Sequence, residues 1–429
     1  MTVTPWGESS ELRARRLRPG PGHPRADVAA NQRERLLGAM VAAVAEHGYE
    51  ATRVADLLAV AGVSRNTFYR HFDNKLDCFL ATMDTIVLGG GAAVVGAYLH
   101  HDGDWEDRLA AALDTLVESI VAQPAAARLF YVESFHAGPE AIARVEEMSM
   151  RMEEMARSAL ERSPRHAGAP PTLLRMILRA FRGVLRIRLR EGREAELPAV
   201  APALLRWALS YEVPPQPLWP RPLPEPDAFP PRRQRAETSR DRILDTVVES
   251  MGREGYAALT INDLARQARV SLTTFYEHFA GKEDAVVAAM RRSANDVLDA
   301  IAPAYRAAPD WAHAIDAVLD AFLGYLVVRQ PFAKFGGVDV RQGSRLIVDV
   351  REQMLAGGQG FLAEGFREHP DVDPIVGEAI GQAIDALLFD QVANWGTERL
   401  YEQAPLATYV ALVPFVGVEQ ACAIANRSR

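Results

Sequence analysis

The chain has 429 residues, 48% of them hydrophobic and 24% charged, with a formal net charge of -8. That balance suits a globular protein of two or three domains. Two cysteines, Cys78 and Cys422, exclude a disulfide framework and suit a reducing compartment. With no charged-then-apolar leader and no uninterrupted apolar run of spanning length, a soluble, cytoplasmic protein with no membrane partner is expected. The acidic total does not advertise a nucleic-acid binder, but whole-chain charge says little about a local patch.

In chain order, residues 1–29 carry Pro5, Pro19, Pro21 and Pro24 with Arg13, Arg15, Arg16, Arg18 and Arg25. This composition predicts a disordered basic arm, either a solvated tail or one that enters a DNA minor groove. From residue 30 a helical pattern begins. Leu36, Leu37, Met40, Val41 and Val44 recur at three- and four-residue spacing and Gly48 is positioned to stop the helix. Thr52 is expected to cap a short second helix with Val54, Leu57 and Leu58. Ala61-Gly62-Val63 forms a turn, and Ser64 caps a third helix that ends at Asp73-Asn74. Two short helices joined by a small-residue turn form a helix-turn-helix.

The same pattern returns at an offset of 207 residues, Val63 to Val270. Ile243, Val247 and Val248 lie on its first helix, Gly255 is its stop, Thr260 its second cap, and Ser271 caps its third helix. Arg269 stands in place of the turn glycine, so this turn is expected to close without it or in a slightly altered geometry. Asp56/Asp263, Leu57/Leu264, Ala61/Ala268 and Thr67/Thr274 are identical pairs. A repeat this long is a duplicated domain rather than a solenoid. Beyond the motif, Asp104-Trp105 matches Asp310-Trp311 and Gln123-Pro124 matches Gln330-Pro331. The duplication therefore covers the helical bodies, 78–212 and 285–429. Between the copies, 213–236 holds nine prolines, which predicts an extended, semi-rigid linker spanning about 70 Å at about 3.1 Å per residue.

The runs Arg33–Asp77 and Arg240–Asp284 closely resemble the DNA-binding region of TetR-type transcriptional regulators. The likeness rests on the Asp-Leu second helix, Val-Ser, and Thr-Phe-Tyr-x-His-Phe-x-x-Lys-x-Asp in both copies. The resemblance implies an all-α chain of two tandem units, each a helix-turn-helix (30–77 and 237–284) with a helical effector and dimerisation body. It also implies double-stranded DNA as partner. The third helix would lie in the major groove with its N-terminal residues at base edges. Copy one presents Arg65, Asn66 and Thr67 there; arginine suits guanine, asparagine adenine, and the threonine methyl thymine. Copy two presents Leu272, Thr273 and Thr274 and lacks the two strong readers. Ser64 and Ser271, with Thr52 and Thr260, are included in the expected DNA face. Tyr69/Tyr276, His71/His278 and Lys75/Lys282 match family positions that approach phosphates. Arg70 joins them in copy one, whereas Glu277 replaces it in copy two and would repel DNA. Phe68/Phe275 and Phe72/Phe279 read as core. Two unequal half-sites are expected.

The resemblance further implies a helix pair that dimerises and a pocket for an effector. Arg175, Arg179, Arg182 and Arg186 share one face of 171–191, while 374–395 carries Glu378, Asp385 and Asp390. Opposite charge favours joining the unlike halves, a pseudodimer within one chain; two solvated faces, or a dimer of chains, are the alternatives. For an unknown small apolar effector the candidates are Tyr131, His136, Met148 and Met152, with Met155 and Phe135 nearby, against the plainer reading of core packing. Gly89-Gly90-Gly91 is a candidate hinge. There is no metal-ligand spacing, nucleophile elbow or paired-carboxylate signature, so no enzyme, cofactor or metal is expected. The chain reads as a ligand-released repressor. The rival is a ligand-binding or scaffolding protein whose second DNA-binding unit has decayed.

Overall fold

The structure, a computed structural model, describes residues 2–17, 24–223 and 238–427. Apart from one hairpin, β1 (Val3–Thr4) and β2 (Gly7–Glu8), these residues are helical or connecting. The first repeat comprises α1 (Arg25–Ala51), α2 (Val54–Ala61), α3 (Arg65–His71), α4 (Lys75–His100), α5 (Trp105–Ala122), α6 (Pro124–Tyr131), α7 (Pro139–Leu160), α8 (Pro171–Glu191) and α9 (Leu197–Leu209). The second comprises α10 (Ser239–Ala258), α11 (Ile261–Gln267), α12 (Leu272–His278), α13 (Lys282–Ala307), α14 (Trp311–Val328), α15 (Gln330–Gly337) and α16 (Arg345–Gly358). It continues through α17 (Ala363–Glu368), α18 (Ile375–Trp395) and α19 (Ala404–Ala425). The all-α expectation and the two helix-turn-helix units hold.

The helix signals act as their chemistry requires. Gly48 and Gly255 break α1 and α10 at φ 75° and 76°, a left-handed step that glycine takes without penalty. Asp104 and Asp310 cap α5 and α14 through their carboxylates, and Pro124 and Pro331 sit in the first turns of α6 and α15, where no N–H partner is lost. Thr260 caps α11 by accepting from the Asp263 N–H. Thr52 does not cap α2: its buried hydroxyl donates to Gly48 O, and Arg53 is the capping residue, its N–H bonded to the Asp56 carboxylate. By the repeat offset Arg53, not Thr52, corresponds to Thr260.

The chain divides into two compact units: 1–163 with 182–205, and 164–181 with 206–429. In the first unit one core cluster runs from α1 (Leu36, Met40) through Leu57, Phe68 and Phe72 into Phe79, Leu129 and Val145. In the second, Ile243, Val247, Leu264, Phe275 and Phe279 continue into Val286, Phe335 and Val350. The boundaries drawn at 77/78 and 284/285 therefore fall inside α4 and α13, and each reading head shares its core with the helices behind it.

Segments of the first repeat are built into the second unit. Tyr211 donates to Val410 O and Tyr409 to Glu212 O, and Arg175 reaches Asp390 at 2.6 Å with Arg179 at 3.6 Å. The rest of the expected charge stripe goes elsewhere. Arg182 pairs with Glu146, Arg186 lies over the Phe135 ring, and Asp385 is taken by Arg341 and Arg351 of its own repeat. Of the two expected stripes, Arg175 and Arg179 meet Asp390 across the repeats.

Two expectations change. Residues 2–17 are folded, not a disordered arm; residues 18–23 lie outside the described residues. The first part of the proline-rich segment, 213–223, is docked on the second unit, while residues 224–237 lie outside the described residues. Trp219 N–H donates to Asn426, and the Arg221 guanidinium is buried against Asp316 and Asp320. In addition, Lys75–His100, Trp311–Val328 and Tyr401–Ala425 are helices long and apolar enough to cross a membrane by length and composition. In the last of these Pro405 lies in the first turn and the helix continues past Pro414 to a break at Gly417, φ 78°.

Arg221→Ala leaves the fully buried Asp316 with less compensation, and breaking such a pair costs about 3–5 kcal/mol. Denaturant unfolding should register that loss, and limited proteolysis should open new cuts within 213–223. Unchanged stability and cleavage would count against the docked linker.

Candidate nucleic-acid interface

Each reading helix is set by three local devices. Ser64 accepts from the Thr67 N–H at 3.1 Å and Ser271 from the Thr274 N–H at 2.9 Å, so α3 and α12 start where the sequence places them. Phe68 and Phe275 are fully buried and seat the helices on their cores. The preceding turn closes by one bond in both copies, Val63 N–H to Leu58 O and Val270 N–H to Ala265 O.

That bond needs a left-handed residue just before it. Gly62 supplies it at φ 61°. Arg269 supplies it at φ 55° and is the one positive-φ residue other than glycine among those described. The turn of copy two closes without a glycine, one of the two outcomes expected. The closing valine bond is retained, the Arg269 N–H goes to Arg266 O where the Gly62 N–H goes to Leu58 O, and the arginine bears the strain, of order 1–2 kcal/mol.

The turn is also fastened from behind, which the sequence reading missed. Arg35, buried on α1, donates to Ala61 O at 2.8 Å, and its counterpart Arg242 donates to Ala268 O at 3.1 Å. Burial and the nearby Arg16 lower the Arg35 pKa from its ordinary value. A polar residue one step from the apolar Leu36 and Leu37 stripe was the available signal.

The expected base readers lie on the surface. Arg65 and Asn66 are exposed on α3, as are Leu272 and Thr273 on α12. Tyr69 and Tyr276 are about half exposed at 51% and 57%, each edge-on to the phenylalanine before it. Arg70 and Glu277 are both exposed, and Arg70 bonds to Thr67 Oγ1 at 3.2 Å. Thr67 is buried, with its hydroxyl against Ser64 Oγ at 2.9 Å, whereas Thr274 is half-buried. Thr67 thus braces the helix start. Thr52 is likewise buried and offers little to DNA.

His71 lies 3.3 Å from Gln32 Oε1, and burial, followed by Arg70 and Arg33, lowers its pKa. That direction favours the neutral imidazole. His278 is exposed.

Lys75 and Lys282 do not point their donors outward. Lys75 Nζ bonds Tyr49 O at 2.8 Å and Thr52 O at 2.9 Å, and Lys282 Nζ bonds Tyr256 O at 3.1 Å. Both ammonium groups sit 4.1 Å over the ring of that tyrosine. Burial lowers the Lys75 pKa. The geometry gives these lysines a fastening role after the glycine break, in place of the phosphate contact expected of them.

The effector candidates are only partly gathered. Tyr131 and Met148 pack against the first unit's main cluster, but Met152 and Met155 are 37% and 48% exposed. The residues of α7 that turn inward are Ala141, Val145, Glu153 and Ala159. His136 follows a short helical turn at 133–135 and is half-buried. Gly89, Gly90 and Gly91 lie within α4, with open space where a side chain would project.

The family model described as "Bacterial regulatory proteins, tetR family" matches residues 36–82 and 243–289. An uncharacterized HTH-type transcriptional regulator, YxbF of Bacillus subtilis (strain 168), is 32% identical over 63 residues, 15% of this chain. The match spans only 16% of that relative's length. Among solved structures, the fatty acid degradation regulator FadR from Bacillus halodurans aligns with a TM-score of 0.37 and 19% identity, over 42% of this chain and 95% of its own. FadR from Bacillus subtilis, solved in complex with stearoyl-CoA, aligns at 0.35 and 19%, over 41% and 97%.

Lys75→Met should lower stability by about 1–3 kcal/mol, the cost of leaving buried carbonyls without their donor. The salt dependence of duplex-DNA binding should stay as in the parent. A shallower slope of log affinity against log salt would return Lys75 to the phosphate-contacting set.

Proposed function

The chain carries two tandem TetR-type units, and from that premise we propose that it is a sequence-specific DNA-binding transcriptional regulator whose repeats act as an intramolecular pseudodimer. The observation that carries the reading is the pair of exposed, capped third helices on retained turns, with Arg65 and Asn66 at the start of one and Leu272 and Thr273 at the start of the other. A homodimer copies its symmetry into a palindromic operator. Two unlike reading helices in one chain suit an asymmetric one. The first unit supplies the specific reading and the second a weaker companion contact, since Glu277 adds a negative charge where Arg70 adds a positive one.

Support for the pseudodimer comes from the first-repeat segments 164–181 and 206–212, which belong to the second unit with α18 and α19 and join them through Tyr211, Tyr409 and the Arg175/Arg179–Asp390 pairs. The face an ordinary family member offers to a second chain is thereby engaged within this one. The regulatory step is proposed as release from DNA by a small apolar effector, with Tyr131 and Met148 as its first candidates. Both half-sites are read only when the third helices are about one DNA turn apart, so a modest shift in the helical bodies suffices. A regulator acting on bacterial DNA works in the cytoplasm. The rival, a scaffold with a decayed second unit, draws on Leu272 and Glu277. The retained turn, caps and seating phenylalanine of that unit favour the regulator.

Footprinting the intact chain on genomic fragments should protect two unequal half-sites. Arg65→Ala and Asn66→Ala should each relax one base position in the stronger half-site by about 1–3 kcal/mol, whereas Leu272→Ala should leave that half-site unchanged. Sedimentation of the complex should give one chain per site, and Asp390→Arg should weaken the association of the repeats. Absence of salt-dependent binding to any duplex would remove the regulator reading.

A further inference from the structure

The folded N-terminus and the strained turn of the second repeat answer the same need. Residues 2–17 form a strap along α1. Thr4 Oγ1 donates to Gly7 O, Arg15 donates to Trp6 O at 2.5 Å, and Asn31 holds both Leu17 N–H and Arg15 O. Leu12, 1% exposed, seats on Gly38, where an added side-chain carbon would lie 2.9 Å from Leu12 Cδ1. The strap then lays Arg13 on the helix-turn-helix turn, where a side-chain carbon on Gly62 would lie 2.6 Å from Arg13 Cγ.

Both docking glycines are replaced in the second repeat. Gly38 corresponds to Asp245, which is paired with Arg292, and Gly62 corresponds to Arg269. A strap of this kind has no seat there. The turn residue itself is the arginine, held left-handed at a cost that glycine would avoid. Strain kept at one residue calls for a compensating role. Arg13 and Arg269 are exposed, and among the described residues neither has an acidic partner. Each lies at the turn immediately before the capping serine of its reading helix.

We propose that Arg13 and Arg269 are equivalent DNA-phosphate contacts, one brought to the first turn by the strap and the other built into the second turn. The proposal rests on the reading that the chain binds DNA. It gives each unit one cation at the same place beside the major groove, independent of base sequence. It also makes the second unit a phosphate-gripping companion despite Glu277. The backbone of Arg269 is the fixed element, left-handed at φ 55° with the residue exposed to solvent.

The test uses the full chain and a mixed-sequence duplex, with affinity measured across a salt series. Each lost phosphate contact reduces the slope of log affinity against log salt by about 0.9. Arg13→Ala and Arg269→Gly should each make the slope shallower by about one, and the double variant by about two, whereas Arg13→Lys keeps the parent slope. Arg269→Gly should at the same time raise the thermal midpoint, because it removes the strain, so weaker binding there cannot come from unfolding. Parental slopes in Arg13→Ala and Arg269→Gly overturn the proposal while leaving the regulator reading intact. A parent that binds no duplex at any salt overturns both.

Discussion

The turn before each reading helix is the constraint on which the rest depends. A left-handed residue lets Val63 or Val270 close back on the preceding helix, and an arginine of the first helix, the buried Arg35 or the half-buried Arg242, holds the turn carbonyl. An arginine reaching through a core to a backbone carbonyl satisfies a buried acceptor and fixes a helix angle at once. With that angle set, Phe68 or Phe275 is driven into the core, and the residues following the capping serine are left on the surface. Recognition is thus prepared by groups that never touch the ligand.

The lysines extend the same logic one step along the chain. Gly48 and Gly255 break the first helix and leave the carbonyls beyond the break short of helical N–H partners, Tyr256 O taking the Leu259 N–H of the cap. Lys75 and Lys282 come back from the start of the fourth helix to cover them, with the tyrosine ring beneath each ammonium. A compact ammonium on a flexible stem suits this place: Lys75 Nζ bonds the Tyr49 and Thr52 carbonyls and Lys282 Nζ the Tyr256 carbonyl. Both ammonium groups hold backbone carbonyls at positions where the resemblance implied a phosphate contact.

Legibility in the sequence followed locality. Caps, glycine stops and buried phenylalanines were readable because each acts within a few residues of itself, and Ser64, Ser271, Asp104, Asp310 and Gly255 all do what their neighbours predict. Thr52 was misjudged by one position because a threonine and an arginine stand side by side and only the backbone tells which is the cap. The strap, the docked linker and the Arg35 fastener depend on partners far along the chain: Leu12 on Gly38, Arg221 on Asp316, Arg35 on Ala61. Proline and arginine content predicted disorder for 2–17, but composition carries no information about a glycine seat on another element. The charge stripe was visible, and Arg175 and Arg179 meet Asp390. Arg182 also has Glu146, and Arg186 the Phe135 ring, in their own repeat.

Comparing the two repeats separates what a helix-turn-helix must keep from what it can vary. Kept are the residues that close, fasten and seat the third helix. Varied are those that face outward: Arg65 against Leu272, Asn66 against Thr273, Arg70 against Glu277. A repeat that had only lost its function would be expected to relax its scaffold as well, beginning with the costliest element. Arg269 shows the reverse, since the second repeat holds an unfavourable backbone state in place of a glycine that would relieve it. The proposed phosphate contact of its side chain, at the surface beside the reading helix, would offset that cost, and it argues that the second unit has something to hold.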